Sequence, residues 1–342
     1  MSEKESWVKV VQFTAYLISA IALVFILKTL KGIFIPLVLS IFFAYLFAPI
    51  VEFLAKFKIP RILTLFVLLG IISLLGIFGA QIITKNIKEF IKLWPTYEST
   101  IISSATGFFK QYLNIETKNF FEILRSARVT DFLSSLVNKS FNIFGKILST
   151  LLILIFIYLS YHNYPSLIKK AFPEEKSKYI FEIINNINDQ IINYIIIKTV
   201  ISAGTGLLTG ISCAILHIQF AVLWGFLAFL LNYIPYIGSI VAIIFPIALS
   251  FIQFPHSFIP FLAAIILIVI QLFMGSFLDP EMMGNKFNLS PVVIVISLFF
   301  WSYVWGIVGA FLAVPMTALL KIIFQNIDSL NFLSILMSKK VS

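Results

Sequence analysis

The sequence predicts an all-α, polytopic integral membrane protein with about eight transmembrane helices and an amphipathic helical insert. Composition is the first reason: 60% of the 342 residues are hydrophobic, only 12% are charged, and the mean hydropathy is +1.02, whereas soluble domains carry about 25% charged residues. The second is run length. Continuous apolar stretches recur that can cross a hydrocarbon core of about 30 Å at 1.5 Å per helical residue. The third is where charge is missing: between Thr199 and Leu320 the only charged side chains are Asp279, Glu281 and Lys286, all in one short segment. A β-barrel is excluded because its strands alternate in polarity, while these runs are apolar on every face.

The runs lie near 8–27, 33–54, 62–84, 147–163, 196–216, 220–253, 258–278 and 290–320. The first follows Glu3, Lys4 and Glu5, shows no small-residue cleavage site, and reads as a retained span. Three spans therefore make an N-terminal part, 1–84. Residues 85–146 follow as an insert in which Lys88, Glu89, Lys92, Lys110, Glu122, Arg125 and Asp131 interleave with apolar side chains. Leu133, Leu136, Val137, Phe141 and Phe144 recur at three-and-four spacing, so this insert is expected as helices against the membrane or the bundle. The C-terminal part, 147–342, resumes the spans. Within it, Pro173 with Glu174 and Glu175 suits a helix start. The isoleucines at 180, 183, 184, 187, 191 and 195 then face one way, and the helix should run straight into the fifth span.

The run 220–253 is too long for one ordinary crossing and is interrupted by Asn232-Tyr-Ile-Pro-Tyr-Ile-Gly238. Pro235 removes a backbone donor and Gly238 permits unusual dihedrals, so the segment should be kinked or broken into two half-helices. Such a break is either a pathway element lining a polar cavity or a bend that only shapes packing. The seventh span should end or break at Pro280, which disfavours helix at Asp279. Asp279 and Glu281 would then sit at a span terminus, where carboxylates bind a cation or exchange a proton. The alternative is an ordinary loop in which Lys286 partly neutralises them.

Other polar groups in apolar runs are Asn193, Lys198, Asn232 and Gln271. Lys198 reads as a snorkelling side chain, and Asn232 and Gln271 either bind a polar solute or bridge helices. Small residues at Gly204, Gly206, Gly210, Gly306, Gly309 and Ala313 favour close helix approach. No phosphate loop or His-Glu-x-x-His helix is present, and His162, His217 and His256 are isolated, with no cluster of cysteines and carboxylates at ligand spacing around them. No catalytic residue, metal or cofactor is expected. The single cysteine, Cys213, lies in an apolar run. The net charge of +10 is scattered, which points to membrane lipid rather than nucleic acid.

With eight crossings, one side collects Lys4, Lys9, Lys56, Lys58, Arg61, Lys169, Lys170, Lys176, Lys178, Lys321, Lys339 and Lys340. The other side's short loops hold Lys28, Lys31 and Lys286. The positive-inside rule then puts both termini in the cytoplasm, provided 220–253 crosses once.

Four ordered stretches, Leu231-Asn-Tyr-Ile-Pro-Tyr-Ile-Gly-Ser-Ile240, Asp279-Pro-Glu-Met-Met-Gly284, Leu289-Ser-Pro291 and Trp305-Gly-Ile-Val-Gly-Ala-Phe-Leu-Ala-Val-Pro315, resemble signatures of the autoinducer-2 exporter (AI-2E) family. The resemblance is strongest over 195–325. Gly238-Ser239 departs from the Gly-Pro common in that family. The resemblance implies an eight-span transporter of the bacterial cytoplasmic membrane, assembled as a homo-oligomer, a pentamer, that exports a small hydrophilic signal in one branch and exchanges sodium or lithium for protons in others. On this reading Asn232, Pro235, Tyr236, Gly238 and Gln271 line the substrate pathway, Asp279 and Glu281 sense an ion or proton, and Pro235, Gly238, Pro280 and Gly284 set the backbone. The competing expectation is a non-transporting scaffold whose insert organises lipid or partner proteins.

Overall fold

The computed structural model describes residues 3–57, 59, 61–112, 149–160, 164–283 and 288–339. Its named elements are all helical, with one isolated antiparallel bridge between Leu289 and Ser338. Five helices are long and apolar enough to cross a membrane, or six if the pair following the insert counts as one span. Among the described residues the expected count of eight is not confirmed.

Helix α1 (Glu3–Thr29) and α2 (Lys31–Lys56) coincide with the first two runs. The third does not stop near residue 84. Helix α3 (Arg61–Tyr112) has 52 residues, about 78 Å of rise, and continues into the insert through Pro95. The three-and-four periodicity persists past Lys88 and Lys92, and Pro95 removes one backbone donor without reversing the chain. The stretch from Leu133 to Phe144, like the rest of 113–148, lies outside the described residues. After the insert come α4 (Ser149–Ser160), within the expected run 147–163, and α5 (Tyr164–Ala171).

Helix α6 (Glu174–Ile215) has 42 residues and joins the polar-faced segment to the fifth span as expected. Its first turn holds Glu174 and Glu175 at the positive end of the helix dipole, and Glu174 pairs with Lys178 at 2.9 Å.

The run 220–253 is broken in two and reverses on itself. Helix α7 (Ala221–Leu231) is only 11 residues long, about 16 Å, and α8 (Ile237–Gln253) runs back beside it. Trp224 and Phe245 stack across the pair, 6.4 Å apart with rings 4° from parallel. A Cβ on Gly238 would lie 1.8 Å from the Leu231 carbonyl oxygen, so only glycine closes the turn.

The expected end at Pro280 is also corrected. Helix α9 (Ile259–Gln271) passes into a π-helical segment, Leu272–Leu278, and then α10 (Asp279–Met283). In the π segment the Asp279 N–H reaches back five residues to the Met274 carbonyl. Pro280 then falls in the first turn of the following helix, where a missing N–H costs least.

Likewise 290–320 is a hairpin and not one span. Helix α11 (Pro291–Trp305) turns at Gly306, φ 65° and ψ −141°, into α12 (Ile307–Gln325). The Trp301 Nε1–H donates to Thr317 Oγ1 across it at 3.2 Å. A Cβ on Gly309 would sit 1.9 Å from the Trp301 oxygen. A short 3₁₀ turn, Asp328–Leu330, and α13 (Asn331–Leu336) complete the described chain.

These helices gather into two compact units. The first comprises 1–44, 152–187 and 287–342; the second comprises 45–151 and 188–286. In the first, α1 is tied to α11 by Trp305 Nε1–H donating to the Leu27 carbonyl at 3.1 Å and by Lys28 over the Tyr303 ring at 3.6 Å. Phe42 of α2 meets Phe311 of α12 edge-on. In the second, Tyr97, Cys213, Ile218, Trp224, Leu249, Ala263 and Leu267 form the buried apolar core, with Phe90 and Phe220 packed against it. Outside it, Leu207, Ile211, Ile265, Val269 and Phe273 lie exposed, which is the inverted surface a lipid-solvated bundle presents.

Candidate functional site

The site is built on α6 of the second unit. Tyr194, Lys198, Ser202, Thr205 and Thr209 follow one another at spacings of four, four, three and four, which puts them in one stripe along the helix. Every one of them is buried, while Leu207, Ile211 and Ile215 on the same helix are more than half exposed. The helix therefore turns its polar side inward and its apolar side outward, the reverse of a soluble helix.

Two elements cover that stripe. The α7–α8 hairpin does so through Asn232, whose Nδ2–H donates to Ser202 Oγ at 3.0 Å, and through Tyr233, whose hydroxyl shares a 2.7 Å bond with Thr199 Oγ1. Gly206 and Gly210 of α6 lie against Gly225 of α7; a Cβ on Gly206 would be 2.7 Å from the Gly225 oxygen. That absence of side chains lets the hairpin approach closely enough for Asn232 to reach Ser202.

The α9–π–α10 helix covers the other flank. Lys198 Nζ donates to Asp279 Oδ2 at 2.5 Å, with the two side chains 6% and 18% exposed. Tyr194 is buried within electrostatic reach of the Asp279 carboxylate and of Tyr233. Isolated, either charge would be costly in an apolar bundle; together they are neutral overall and hydrogen-bonded. The pairing depends on the π segment, because a helix of ordinary pitch through 272–278 would rotate Asp279 away from its present bearing.

The sequence-predicted residues divide accordingly. Asn232, Asp279 and Gln271 belong to the buried seam; Asn232 bridges helices, and both amide atoms of Gln271 are buried without a partner. Pro235 is half-buried in the turn, Gly238 closes it, and Tyr236 is 53% exposed. Tyr236 has φ 61° and ψ −60° and is spanned by a 2.6 Å bond from the Ile237 N–H to the Pro235 carbonyl, a strained γ-turn. Pro280 and Glu281 are exposed, so Glu281 does not join Asp279. Gly284 and Lys286 lie outside the described residues. Lys198 does not snorkel: it is 5% exposed and paired with Asp279. The sequence held a signal for it, the period of Tyr194, Lys198, Ser202, Thr205 and Thr209, but that signal was hidden by treating Lys198 alone.

Among the described residues no group of three or more His, Cys, Asp or Glu converges as a metal site would. The chemistry on offer is a buried, neutralised ion pair beside hydroxyl and amide groups.

A family model described as AI-2E family transporter matches residues 16–329. Curated proteins align along most of their length. The AI-2 transport protein TqsA of Escherichia coli K12 is 28% identical, over 90% of this chain and 89% of its own. Two others carry provisional transport-protein names: one from Borreliella burgdorferi is 29% identical over 92% of this chain and 88% of its own, and one from Haemophilus influenzae is 30% identical over 87% and 88%.

Proposed function

The chain belongs to the AI-2E family of transporters, and from that premise we propose that it carries a small hydrophilic solute or signal across the bacterial cytoplasmic membrane through the buried face of α6. It is a multi-pass membrane protein and a transporter by family. The observation that supports placing the polar site here is the largely buried Lys198–Asp279 pair, on the same stripe of α6 as Ser202 and its partner Asn232. A carboxylate–ammonium pair satisfied by its own members leaves no net charge to bind. A polar solute or a cation entering between them exchanges one hydrogen-bonding partner for another, which is how such a pair couples occupancy to helix position.

The two hairpins are compatible with the orientation that the charges suggest. Each returns the chain to the side it left, so the two departures from eight single crossings cancel and the C-terminus stays with the N-terminus. With that parity Lys286 counts on the lysine-rich side in sequence, a charge asymmetry that supports both termini in the cytoplasm. The molecule works as a homo-oligomer in contact with membrane lipid, a pentamer as the resemblance implies.

The test is a metabolite comparison of cells with and without the protein, followed by flux of the best solute in proteoliposomes. Transport of that solute by the wild type and its loss in Asp279→Asn is the expected result. No difference in any solute, or full flux in the variant, contradicts the proposal.

A further inference from the structure

Four buried side-chain atoms among the described residues have no hydrogen-bond partner: Thr209 Oγ1, Gln271 Nε2, Gln271 Oε1 and Asp279 Oδ1. All four lie on α6 or on the α9–π–α10 helix. Orphaned polar atoms scattered over a bundle are noise; orphans confined to one seam are a demand for a partner.

The register of that seam brings them together. Lys198 meets Asp279, and the Met274 methyl carbon lies only 2.6 Å from where a Cβ on Gly204 would be. Farther along, Cys213 and Leu267 share the apolar core. These three levels run antiparallel, and the same register places Thr209 level with Gln271. Both are buried, 1% and 9% exposed, and neither bonds to the other. A Cβ on Gly275 would find only the Gln271 amide nitrogen within 4 Å, at 3.8 Å, so there is room beside that group.

We infer that the α6–α9 seam carries water at two stations, Thr209–Gln271 and Lys198–Asp279, and that Met274, seated in the notch left by Gly204, closes the path between them. The chemistry of the orphans selects the ligand. Gln271 Nε2 needs an acceptor, Gln271 Oε1 and Asp279 Oδ1 need donors, and Thr209 takes either, so one small molecule that both donates and accepts satisfies them all. Below the first station Leu267, Ala263 and Cys213 make a dry floor. Methionine suits a plug because its unbranched side chain can withdraw without disturbing the backbone.

This inference deepens the transport reading above by naming what fills the seam, yet its test needs no flux. Hydroxyl radicals generated from local water by synchrotron irradiation mark adjacent sulfur side chains. The wild-type protein in lipid vesicles offers a pair of sulfur side chains, Met274 between the two stations and Cys213, fully buried in the dry core. Met274 should be oxidised about tenfold faster than Cys213, because susceptibility follows access to the oxidant. Thr209→Val with Gln271→Leu, which replaces the first station by apolar groups of similar size, should lower the Met274 rate severalfold. Met274 as silent as Cys213 in the wild type overturns the inference. A Met274 rate untouched by the double substitution overturns the first station. A marked Met274 combined with absent solute flux sinks the transport reading and leaves the hydrated seam standing.

Discussion

Each unit buries a lysine in an apolar helix, and the two lysines are treated differently. In the first unit Lys321 of α12 is 3% exposed and donates to the Asn288 carbonyl at 2.8 Å. Its neighbours are also paired, Trp301 with Thr317 and Ser297 with the Ile294 carbonyl at 2.8 Å. In the second unit Lys198 is equally buried but faces a carboxylate with one oxygen unengaged, and Gln271, eight residues before that carboxylate, has no partner at all. A backbone carbonyl cannot change charge or leave, so the first arrangement is structural. An Asp side chain can change partner, which is why the proposed transport role is put on the second pair.

The largest effect that could break this comparison is expected at the ion pair. Lys198→Met or Asp279→Asn alone leaves its partner buried and uncompensated, at a cost of about 3–5 kcal/mol, and abolishes flux. Thermal unfolding in detergent measures the first, proteoliposome uptake the second. The double variant Lys198→Met with Asp279→Asn removes both charges and should regain most of that stability while staying inactive.

Next come the hairpin turns, one in each unit. Gly238→Ala and Gly309→Ala each push a Cβ to under 2 Å from a carbonyl oxygen, at Leu231 and Trp301. Overpacking of this kind costs about 1–3 kcal/mol or more, read as lower yield of monodisperse protein. If either is silent, that hairpin is looser than described.

Lys321→Met sharpens the contrast between the lysines. It forfeits the charged bond to the Asn288 carbonyl, a loss of at least about 1.5–3 kcal/mol, and flux per folded molecule should be unchanged. A loss of flux there would erase the distinction between the two units. The smallest effect belongs to Glu281→Gln, an exposed position where stability should move by no more than about 0.5 kcal/mol and flux should stay at the wild-type level.

Much of this was legible in the residues. Charge depletion between Thr199 and Leu320 dictates the membrane class, and the isoleucine stripe from Ile180 to Ile195 foretells that α6 enters its span unbroken. Pro235 and Gly238 mark a break that is present. Hydropathy counts residues and is blind to direction, so 290–320 reads as a single crossing and 220–253 leaves crossing and re-entry open, although Gly238 and Gly306 turn the chain back. Pro280 was expected to stop a helix because its clash with a helical turn was weighed at ordinary pitch; the π segment changes that pitch. The partner of Asp279 was sought nearby, at Lys286, but lies 81 residues upstream. A side-chain pair of that separation leaves no local trace.

The central claim is that transport runs through the buried pair on α6. Its most direct measurement is solute flux through proteoliposomes carrying the folded double variant Lys198→Met with Asp279→Asn, matched for reconstituted protein to the wild type. Background flux is the predicted result. Wild-type flux from a protein lacking both charges would contradict it and reduce the pair to packing.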